Sequence, residues 1–443
     1  MRVRRALYST GNRLRFLSPV ASEVIQFAAE GDFVLHSGSH SWARLMKGWR
    51  ESDRIWVWGD YRRAVKMRSE ILQEVYRVQS GFSGSDFPPL MSPSWVSNIG
   101  HLGLLFLHGR AQRLKLLPQG LRNVVIGPRI GNPEVLKLAM AGFARSNMEG
   151  NSALVDWPSM WSTVERLQML RRGDEFVDIY QLGEETYASE YPPVLEFEST
   201  ELAEYMERSR TFLTQLGLPR DAWFVGLHTR VVANPLDPRS APVQTFVPAI
   251  REIVRHGGFV IRFGRDRDSN LEALPGLIDL TEIPGNPSDL DLFVLAAGRF
   301  LITTNSGPAM VASELGTPIL GTNTMSIGRN VLSSAHGSLF LPKRWETVRG
   351  EPLSARRLLT SRYAYCEFSS LKEVRGEVNV LPNTAKEILE ATREMLLVEK
   401  GEVRPRGPLS TIEKSIRDEV GAIGKGQLAE SYLELNEKWF LRD

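Results

Sequence analysis

The sequence predicts an α/β protein with two doubly wound domains that face a central cleft, followed by a helical C-terminal extension. The chain has 443 residues, a length that suggests two to three domains. Hydrophobic residues make up 42% and charged residues 24%, as in ordinary globular proteins. Short apolar runs alternate with stretches of helical spacing in both halves. That alternation is typical of parallel sheets covered by helices.

The first half shows the pattern less regularly than the second. Residues 61–79 and 102–116 have apolar positions at helical spacing, and a loop rich in Gly, Ser and Pro over 81–94 separates them. Residues 122–127 form a short apolar run that predicts a buried strand. Asn132-Pro133-Glu134 then has the N-cap, the proline and the acid that begin helices. A strand followed by a helix predicts a βαβ unit here.

The second half repeats strand and helix with fewer interruptions. Its predicted strands are residues 222–228, 259–264, 299–304 and 318–322, and its predicted helices are residues 243–256, 288–297 and 307–315. Continuous apolar strands of this kind are buried on both faces, which indicates a parallel sheet. The alternation therefore predicts an open, doubly wound sheet.

The domain boundaries follow from where this alternation stops. Leu216-Gly217-Leu218-Pro219 interrupts it, and residues 412–420 and 427–439 near the end have helical spacing again. The predicted units are an N-terminal domain over 1–210 with helical additions, a C-terminal domain over 211–400, and an extension over 401–443. We expect the extension to pack across both domains.

Charge and cysteine content exclude several classes of protein. There are 54 basic and 52 acidic residues, so the chain has no general field that would attract nucleic acid. The single cysteine, Cys366, excludes a disulfide framework and a multi-cysteine zinc site. No apolar run approaches the roughly 20 residues that span a bilayer.

The basic N-terminal segment bears on where in the cell the protein is expected to be. Thr10, Asn12 and Arg13 interrupt the apolar core that a signal peptide would need, so we expect no export and a cytoplasmic protein. Weak contact of this arginine-rich start with an anionic membrane is an alternative to a solvated basic face, and we favour the solvated face.

Polar and cationic residues follow each strand of the second half. In an open α/β sheet, ligands bind beyond the carboxyl ends of the strands. The predicted strands deliver there His228-Thr229-Arg230, Arg262-Phe263-Gly264, Thr303-Thr304-Asn305-Ser306-Gly307 and Gly321-Thr322-Asn323. Arginines grip phosphates through paired hydrogen bonds, and the start of a helix presents free N–H groups. We therefore expect a diphosphate to bind at this edge.

Each of these residues also has a structural interpretation. His228 and Arg230 are a polar pair at a strand end, Arg262 can bridge to a local aspartate, and a Ser-Gly pair before a helix is often only a cap. Glu314, eight residues after Ser306, is either an acceptor for a ribose or a solvated helix acid. The convergence of all these groups on consecutive strand ends favours the binding site.

Asp289 and Asp291 spell an Asp-x-Asp motif, which in other contexts holds a metal-bound diphosphate. They precede an apolar helix, where acids in the first turn are favoured by the helix dipole. Because the arginines already supply positive charge, we predict no required metal and no further cofactor.

Residues 224–323 resemble a family of bacterial glycosyltransferases that pair a His-x-Arg strand motif with a downstream arginine. Here the motif is His228-Thr229-Arg230 and the downstream arginine is Arg239. The same order continues with the strand 260–264, Asp291, the turn 304–307 and the segment 316–323. The His-x-Arg element is also similar to that of fucosyltransferases, and the Ser-Gly-Pro helix start is similar to that of heptosyltransferases.

The resemblance implies a GT-B fold of two Rossmann-like domains. It implies transfer of a sugar from a nucleoside-diphosphate donor to a glycan, lipid-linked or small-molecule acceptor. Arg230 would then stabilise the leaving diphosphate. The residues expected to bind the donor are His228, Arg239, Arg262, Gly264, Thr304, Asn305, Ser306, Gly307, Glu314 and Asn323.

The N-terminal half would hold the acceptor and, in an inverting reaction, a general base. His101 lies at a predicted helix start in Asn98-Ile99-Gly100-His101 and is our choice for this role. The alternatives are His36, His40, His108 and Asp156. Two other functions also stay open: a nucleotide-sugar epimerase, which needs two acid–base groups beside the sugar, and a binding protein without catalysis.

Overall fold

The computed structural model describes much of the chain, with gaps. The described residues are 48, 51–52, 55, 61–78, 99–117, 123–126, 132–139, 144–147, 169–172, 175–178, 182–183, 185–186, 200–230, 240–264, 271–283, 290–325, 327, 337–365, 376–402, 405–420 and 426–441.

Helices and strands alternate through these parts. The helices are α1 Tyr61–Val78, α2 Ile99–Arg113, α3 Pro133–Ala139, α4 Thr200–Gln215, α5 Val247–Arg255, α6 Leu290–Ala297, α7 Pro308–Glu314, α8 Ala355–Leu359, α9 Ala385–Val398, α10 Pro408–Val420, α11 Glu430–Leu435 and α12 Glu437–Leu441. The strands are β1 Asn123–Ile126, β2 Ala144–Asn147, β3 Met169–Arg172, β4 Glu175–Asp178, β5 Phe224–His228, β6 Phe259–Arg262, β7 Leu277–Asp279, β8 Leu301–Thr303, β9 Ile319–Thr324, β10 Leu339–Pro342, β11 Arg344–Thr347, β12 Val378–Leu381 and β13 Gln427–Leu428.

A seven-stranded parallel sheet forms the centre of the second half. Its order is β7-β6-β5-β8-β9-β10-β13. The chain starts in the middle at β5, moves outward to β6 and β7, returns to β8 on the other side of β5, and then moves outward again. This is the doubly wound order, in which the direction of winding reverses between β5 and β8. The predicted parallel α/β sheet of this half is confirmed.

Helices cover both faces of this sheet. Right-handed crossovers that run in opposite directions place their helices on opposite faces. The rule separates α5 from α6 and α7: α5 contacts the sheet together with α9, and α6 and α7 form a separate contacting pair. Gly226 in β5 allows close packing, because a Cβ there would stand 2.9 Å from Val294 Cγ1 of α6.

The first half contains the predicted βαβ unit. β1 and β2 pair in parallel with α3 between them, and the Val135 N–H donates to Asn132 Oδ1 at 3.0 Å, as expected of an N-cap. β3 and β4 form an antiparallel pair. A complete second doubly wound domain over 1–210 stays a prediction, and the predicted loop 81–94 lies outside the described residues.

The predicted helix over 427–439 is wrong at its start. Gln427 and Leu428 form strand β13, which pairs in parallel with β10, and helices begin only at Glu430 and Glu437. The physical reason is that β10 otherwise offers an open edge, and pairing there buries Leu428 completely. Hydrogen bonding to a neighbouring strand outweighs the local helical spacing.

The extension is held to the C-terminal sheet by buried polar contacts. Glu394 of α9 accepts hydrogen bonds from the Glu430 N–H at 2.9 Å, the Ser431 N–H at 2.9 Å and the Ser431 hydroxyl at 2.8 Å. The Tyr432 hydroxyl donates to the Pro342 carbonyl at 2.9 Å, and the Trp439 indole N–H donates to the Leu353 carbonyl. Packing across both domains stays a prediction.

Among the described helices, none combines the length and the apolar content that crossing a membrane requires.

We expect Glu394→Gln to destabilise the fold by about 1–3 kcal/mol, because one carboxylate now satisfies three buried donors and an amide would not. Urea unfolding of the two proteins measures this difference. The matched control is Glu390→Gln on the same helix, whose partner Arg393 is half-exposed at 46%. We expect that change to stay within about 0.5 kcal/mol. Equal effects of both variants would contradict the anchoring role of Glu394.

Candidate functional site

The site lies where the winding of the sheet reverses. β5 pairs with β8 so that His228 lies opposite Thr303. Just beyond these residues, the Thr304 N–H donates to the His228 carbonyl at 3.2 Å, and the Arg230 N–H donates to Thr304 Oγ1 at 3.2 Å. Two strand ends that are more than 70 residues apart in the chain are thereby joined. The structure thereby brings His228, Arg230 and Thr304 together, and their role as a binding site stays a prediction.

Arg230 is only partly buried, unlike the two residues before it. Its carbonyl accepts a hydrogen bond from the Ala241 N–H at 3.1 Å, which closes the loop that begins at this arginine. The predicted donor contact Arg239 falls inside that loop and lies outside the described residues. A partly exposed guanidinium at a strand end remains accessible to an anion.

His228 is buried beside Gly264, the residue that follows Phe263 after β6. Gly264 has a φ of +108°, and a Cβ there would stand 2.9 Å from both Cδ2 and Nε2 of the imidazole. Glycine is therefore required twice at this position, for the backbone conformation and for the ring. Within the described residues, Nδ1 of His228 has no hydrogen-bond partner.

The surroundings of His228 keep its imidazole neutral. Burial lowers its pKa most, the nearby charge of Arg230 lowers it further, and Arg262 adds a smaller effect, giving a pKa of about 4. The two arginines therefore act on the same imidazole. A neutral ring between two cations can donate one hydrogen bond to an anion without needing a proton from solvent.

Arg262 is more deeply buried than the sequence suggested. Its guanidinium is 1% exposed and donates to Asp279 Oδ2 at 2.7 Å. Asp279 Oδ1 also accepts from the Thr281 N–H at 3.0 Å and from its hydroxyl at 2.7 Å. The bridge to a local aspartate, which was the structural interpretation, is present. These contacts favour an electrostatic contribution of Arg262 over a direct grip on phosphate.

The turn before α7 presents backbone to the same edge. Thr304 is buried, Asn305 is exposed, and Ser306 and Gly307 are half-buried. The Ala309 N–H donates to the Ser306 carbonyl at 3.2 Å and the Met310 N–H to the Gly307 carbonyl at 3.1 Å, so the turn continues directly into the helix. Ser306 and Gly307 are therefore partly exposed, two to three residues after Thr304, which accepts the hydrogen bond from the Arg230 N–H.

Glu314 and Asn323 are both buried and paired with residues from other parts of the chain. Glu314 is fully buried, and its Oε2 lies 3.4 Å from Arg110 Nη2 of α2. Asn323 is also fully buried: its Oδ1 accepts from the Asn383 N–H at 2.9 Å and its own N–H donates to Asn383 Oδ1 at 2.5 Å. Both side chains hold elements together, so the predicted contacts of Glu314 with a ribose and of Asn323 with a donor gain no support.

The side chains of all the candidates for a general base lie outside the described residues. His101 belongs to the first turn of α2, and its side chain lies outside the described residues, as does that of His108. His36, His40 and Asp156 also lie outside them. The choice of His101 stays a prediction.

Acidic groups do not assemble into a metal-binding cluster in the described part of the chain. There, no three His, Cys, Asp or Glu side chains come close enough to hold an ion. Asp291 lies in the first turn of α6, as predicted from the helix dipole, and Asp289 lies outside the described residues.

Lys343 is a polar residue of this edge that the sequence did not reveal. It follows β10, is 2% exposed, and donates from Nζ to the Ser240 carbonyl at 3.1 Å. Ser240 immediately precedes Ala241, the residue that closes the loop onto Arg230. A lysine directly after an apolar strand was the available signal, since buried lysines are rare unless their charge has a use.

Comparison with known proteins gives limited similarity. No known family model matches the sequence, and no curated protein does. One similar solved structure is the crystal structure of the glycosyl transferase family 9 from Veillonella parvula DSM 2008, at 15% identity and a TM-score of 0.32, covering 68% of this chain and 79% of that chain. Another is E. coli ADP-heptose lps heptosyltransferase II, at 15% identity and a TM-score of 0.38, covering 64% and 97%. The functional assignment therefore depends on the geometry of the site.

We expect His228→Gln to remove part of the acid sensitivity of the fold. The imidazole has a pKa of about 4 when folded, against 6.5 for the ordinary group, so acid favours the unfolded chain. The stability associated with neutral His228 is complete above pH 6.5 and is lost as the pH falls toward 4. A difference of this size corresponds to about 3 kcal/mol.

Urea unfolding of wild type and variant between neutral pH and about pH 4.5 measures this effect, since glutamine does not titrate. The free-energy difference between the two proteins should shrink steadily toward acid. A difference that stays constant over this range would contradict a buried, neutral His228.

Proposed function

We propose that the chain is a glycosyltransferase that moves a sugar from a nucleoside-diphosphate donor to an acceptor hydroxyl without a metal ion. The observation that carries this proposal is the meeting of Arg230, His228 and the 304–307 turn at the reversal between β5 and β8. Ligands of doubly wound sheets bind in the crevice at this point. The resemblance of residues 224–323 to glycosyltransferases supplies the reaction class.

Arg230 has the chemistry that the leaving group requires. When the bond between the sugar and the diphosphate breaks, negative charge grows on the terminal phosphate. A guanidinium held at that oxygen stabilises the transition state more than the ground state, and such groups contribute about 10²–10³ in rate. The backbone N–H of Arg230 is tied to Thr304, which fixes the main chain that carries this guanidinium before a ligand binds.

His228 and the turn complete the anion site in this proposal. A bound diphosphate would face the imidazole and the backbone of Ser306 and Gly307. Its negative charge would offset the effect of Arg230 and Arg262 on His228, which raises the pKa of the imidazole on binding. Arg262, already paired with Asp279, contributes through its field.

A metal is not needed in this reaction if cations of the protein replace its charge. Arg230 and Arg262 are the described residues that do so, with Arg239 as a further predicted donor contact. The acceptor, a glycan, lipid-linked compound or small molecule, would bind in the N-terminal half, where His101 is the proposed general base. We propose that the reaction takes place in the cytoplasm.

Two other functions predict different products from the same site. A nucleotide-sugar epimerase would return an isomerised donor, whereas transfer or hydrolysis releases the free nucleoside diphosphate. A binding protein without catalysis would retain affinity for the diphosphate and release nothing. A panel of UDP-, GDP- and ADP-sugars, with release of the nucleoside diphosphate as the readout, separates the three.

We expect Arg230→Ala to lower the rate of nucleoside-diphosphate release by about 10²–10³, because the charge that stabilises the leaving group is lost. Arg230→Lys should recover part of this loss, since it restores the charge but not the paired geometry. Steady-state kinetics with the active donor measures both variants.

Arg220→Ala is the matched control for this experiment. Arg220 precedes the opposite end of β5, is 64% exposed and pairs with Glu207 at 2.6 Å. We expect it to leave turnover unchanged. Full turnover by Arg230→Ala would overturn the proposed role of this arginine.

A further inference from the structure

A helix of the N-terminal half lies directly against the helix that follows the site turn. Gly103 of α2 faces Met310 of α7 so closely that a Cβ at Gly103 would stand 2.4 Å from Met310 Cγ and 3.2 Å from the Met310 carbonyl carbon. No larger residue fits there without separating the helices. The absence of a side chain at Gly103 therefore sets how closely α2 approaches the C-terminal sheet.

A buried ion pair joins the same two helices further along. Arg110 Nη2 lies 3.4 Å from Glu314 Oε2 and donates to the Glu314 carbonyl at 3.4 Å, and the two side chains are 6% and 0% exposed. Seven residues separate Gly103 from Arg110, which returns nearly to the same face of a helix. A buried pair of this kind favours one alignment of the two helices, because separating the two side chains would weaken their electrostatic interaction away from water.

The two contacts determine the direction of α2 relative to α7. Gly103, the earlier contact residue of α2, faces Met310, the earlier contact residue of α7. The later residues, Arg110 and Glu314, also face each other, so the two helices run parallel. Their first turns therefore lie at the same end of the pair. For α7 that end is the 304–307 turn, and for α2 it is the segment from Ile99 to His101.

We propose that the Arg110–Glu314 pair is a latch that holds the start of α2 beside the diphosphate turn, so that residues 99–103 cover the bound diphosphate. This rests on the proposed function. Glu314 is then a positioning residue and not a ribose ligand. The pair controls the placement of α2, while binding of the diphosphate depends on Arg230 and the turn.

Hydrogen exchange of the full chain, with and without UDP, GDP or ADP, tests the latch. In wild type, the nucleotide that binds should slow exchange both in the 304–307 turn and in residues 99–103. In Glu314→Gln it should slow exchange in the turn alone, and α2 without ligand should exchange about tenfold faster or more. Arg110→Lys, which keeps the charge, should retain most of the ligand effect on 99–103.

The control is Glu390→Gln, which removes a half-exposed acid of α9 and should leave α2 unchanged. If Glu314→Gln fails to fold, the latch is tested instead with the double variant Arg110→Glu/Glu314→Arg, in which the two charges exchange places. Recovery of folding and of slow exchange in α2 supports the latch, and failure of the double variant to recover them overturns it. Exchange in α2 that is equal in wild type and Glu314→Gln also overturns it.

The same experiment separates the latch from the proposed function. If no nucleotide slows exchange in the 304–307 turn of wild type, the diphosphate site is overturned. Faster exchange of α2 in Glu314→Gln would then still support the latch between the halves. A nucleotide that protects the turn but never residues 99–103 in wild type supports the site and overturns closure of α2 over it.

Discussion

The parallel pairing of β5 with β8 is the constraint on which the site depends. These neighbours belong to crossovers that wind in opposite directions, so no connection covers the space beyond their carboxyl ends. The register that places His228 opposite Thr303 also brings Arg230 within reach of Thr304. A shift of the β5–β8 register by one residue would turn the side chains of one strand to the opposite face of the sheet and separate these residues. The hydrogen bonds that join β5 to β8 therefore also bring the candidate site residues together.

The charges at this edge differ in how they are compensated. Arg262 is buried and has its own carboxylate in Asp279, as a buried charge requires. Arg230 is only partly buried, so solvent also screens its charge. His228, between them, gives up its proton because both arginines and burial disfavour a third positive charge. One cation of this edge is therefore partly exposed after β5, and the other is buried at the end of β6.

Periodicity was enough to predict β5, β6, β8 and β9 and the helices α5, α6 and α7, but β7 and the elements from β10 to α9 were not predicted. Periodicity was not enough to assign Glu314 and Asn323, since spacing along one helix or strand does not show which partner occupies its buried face. Those partners, Arg110 and Asn383, are 204 and 60 residues away. The pairing of Arg262 with Asp279 was foreseen only as an alternative for the same reason. β13 escaped prediction because two residues carry no period, and only the neighbouring strand makes them extended.

The short strand β13 has a consequence for how the molecule avoids self-association. It lies on β10 at the outer margin of the sheet, where unpaired backbone groups would otherwise recruit another chain. A protein cut before Gln427 would expose the apolar strand Leu339–Pro342 along that margin, with all four of its residues normally buried. Such a fragment would be prone to aggregate while much of its sheet was intact. The tail thus covers an edge of the sheet, and we expect proteolysis near residue 426 to promote aggregation by exposing it.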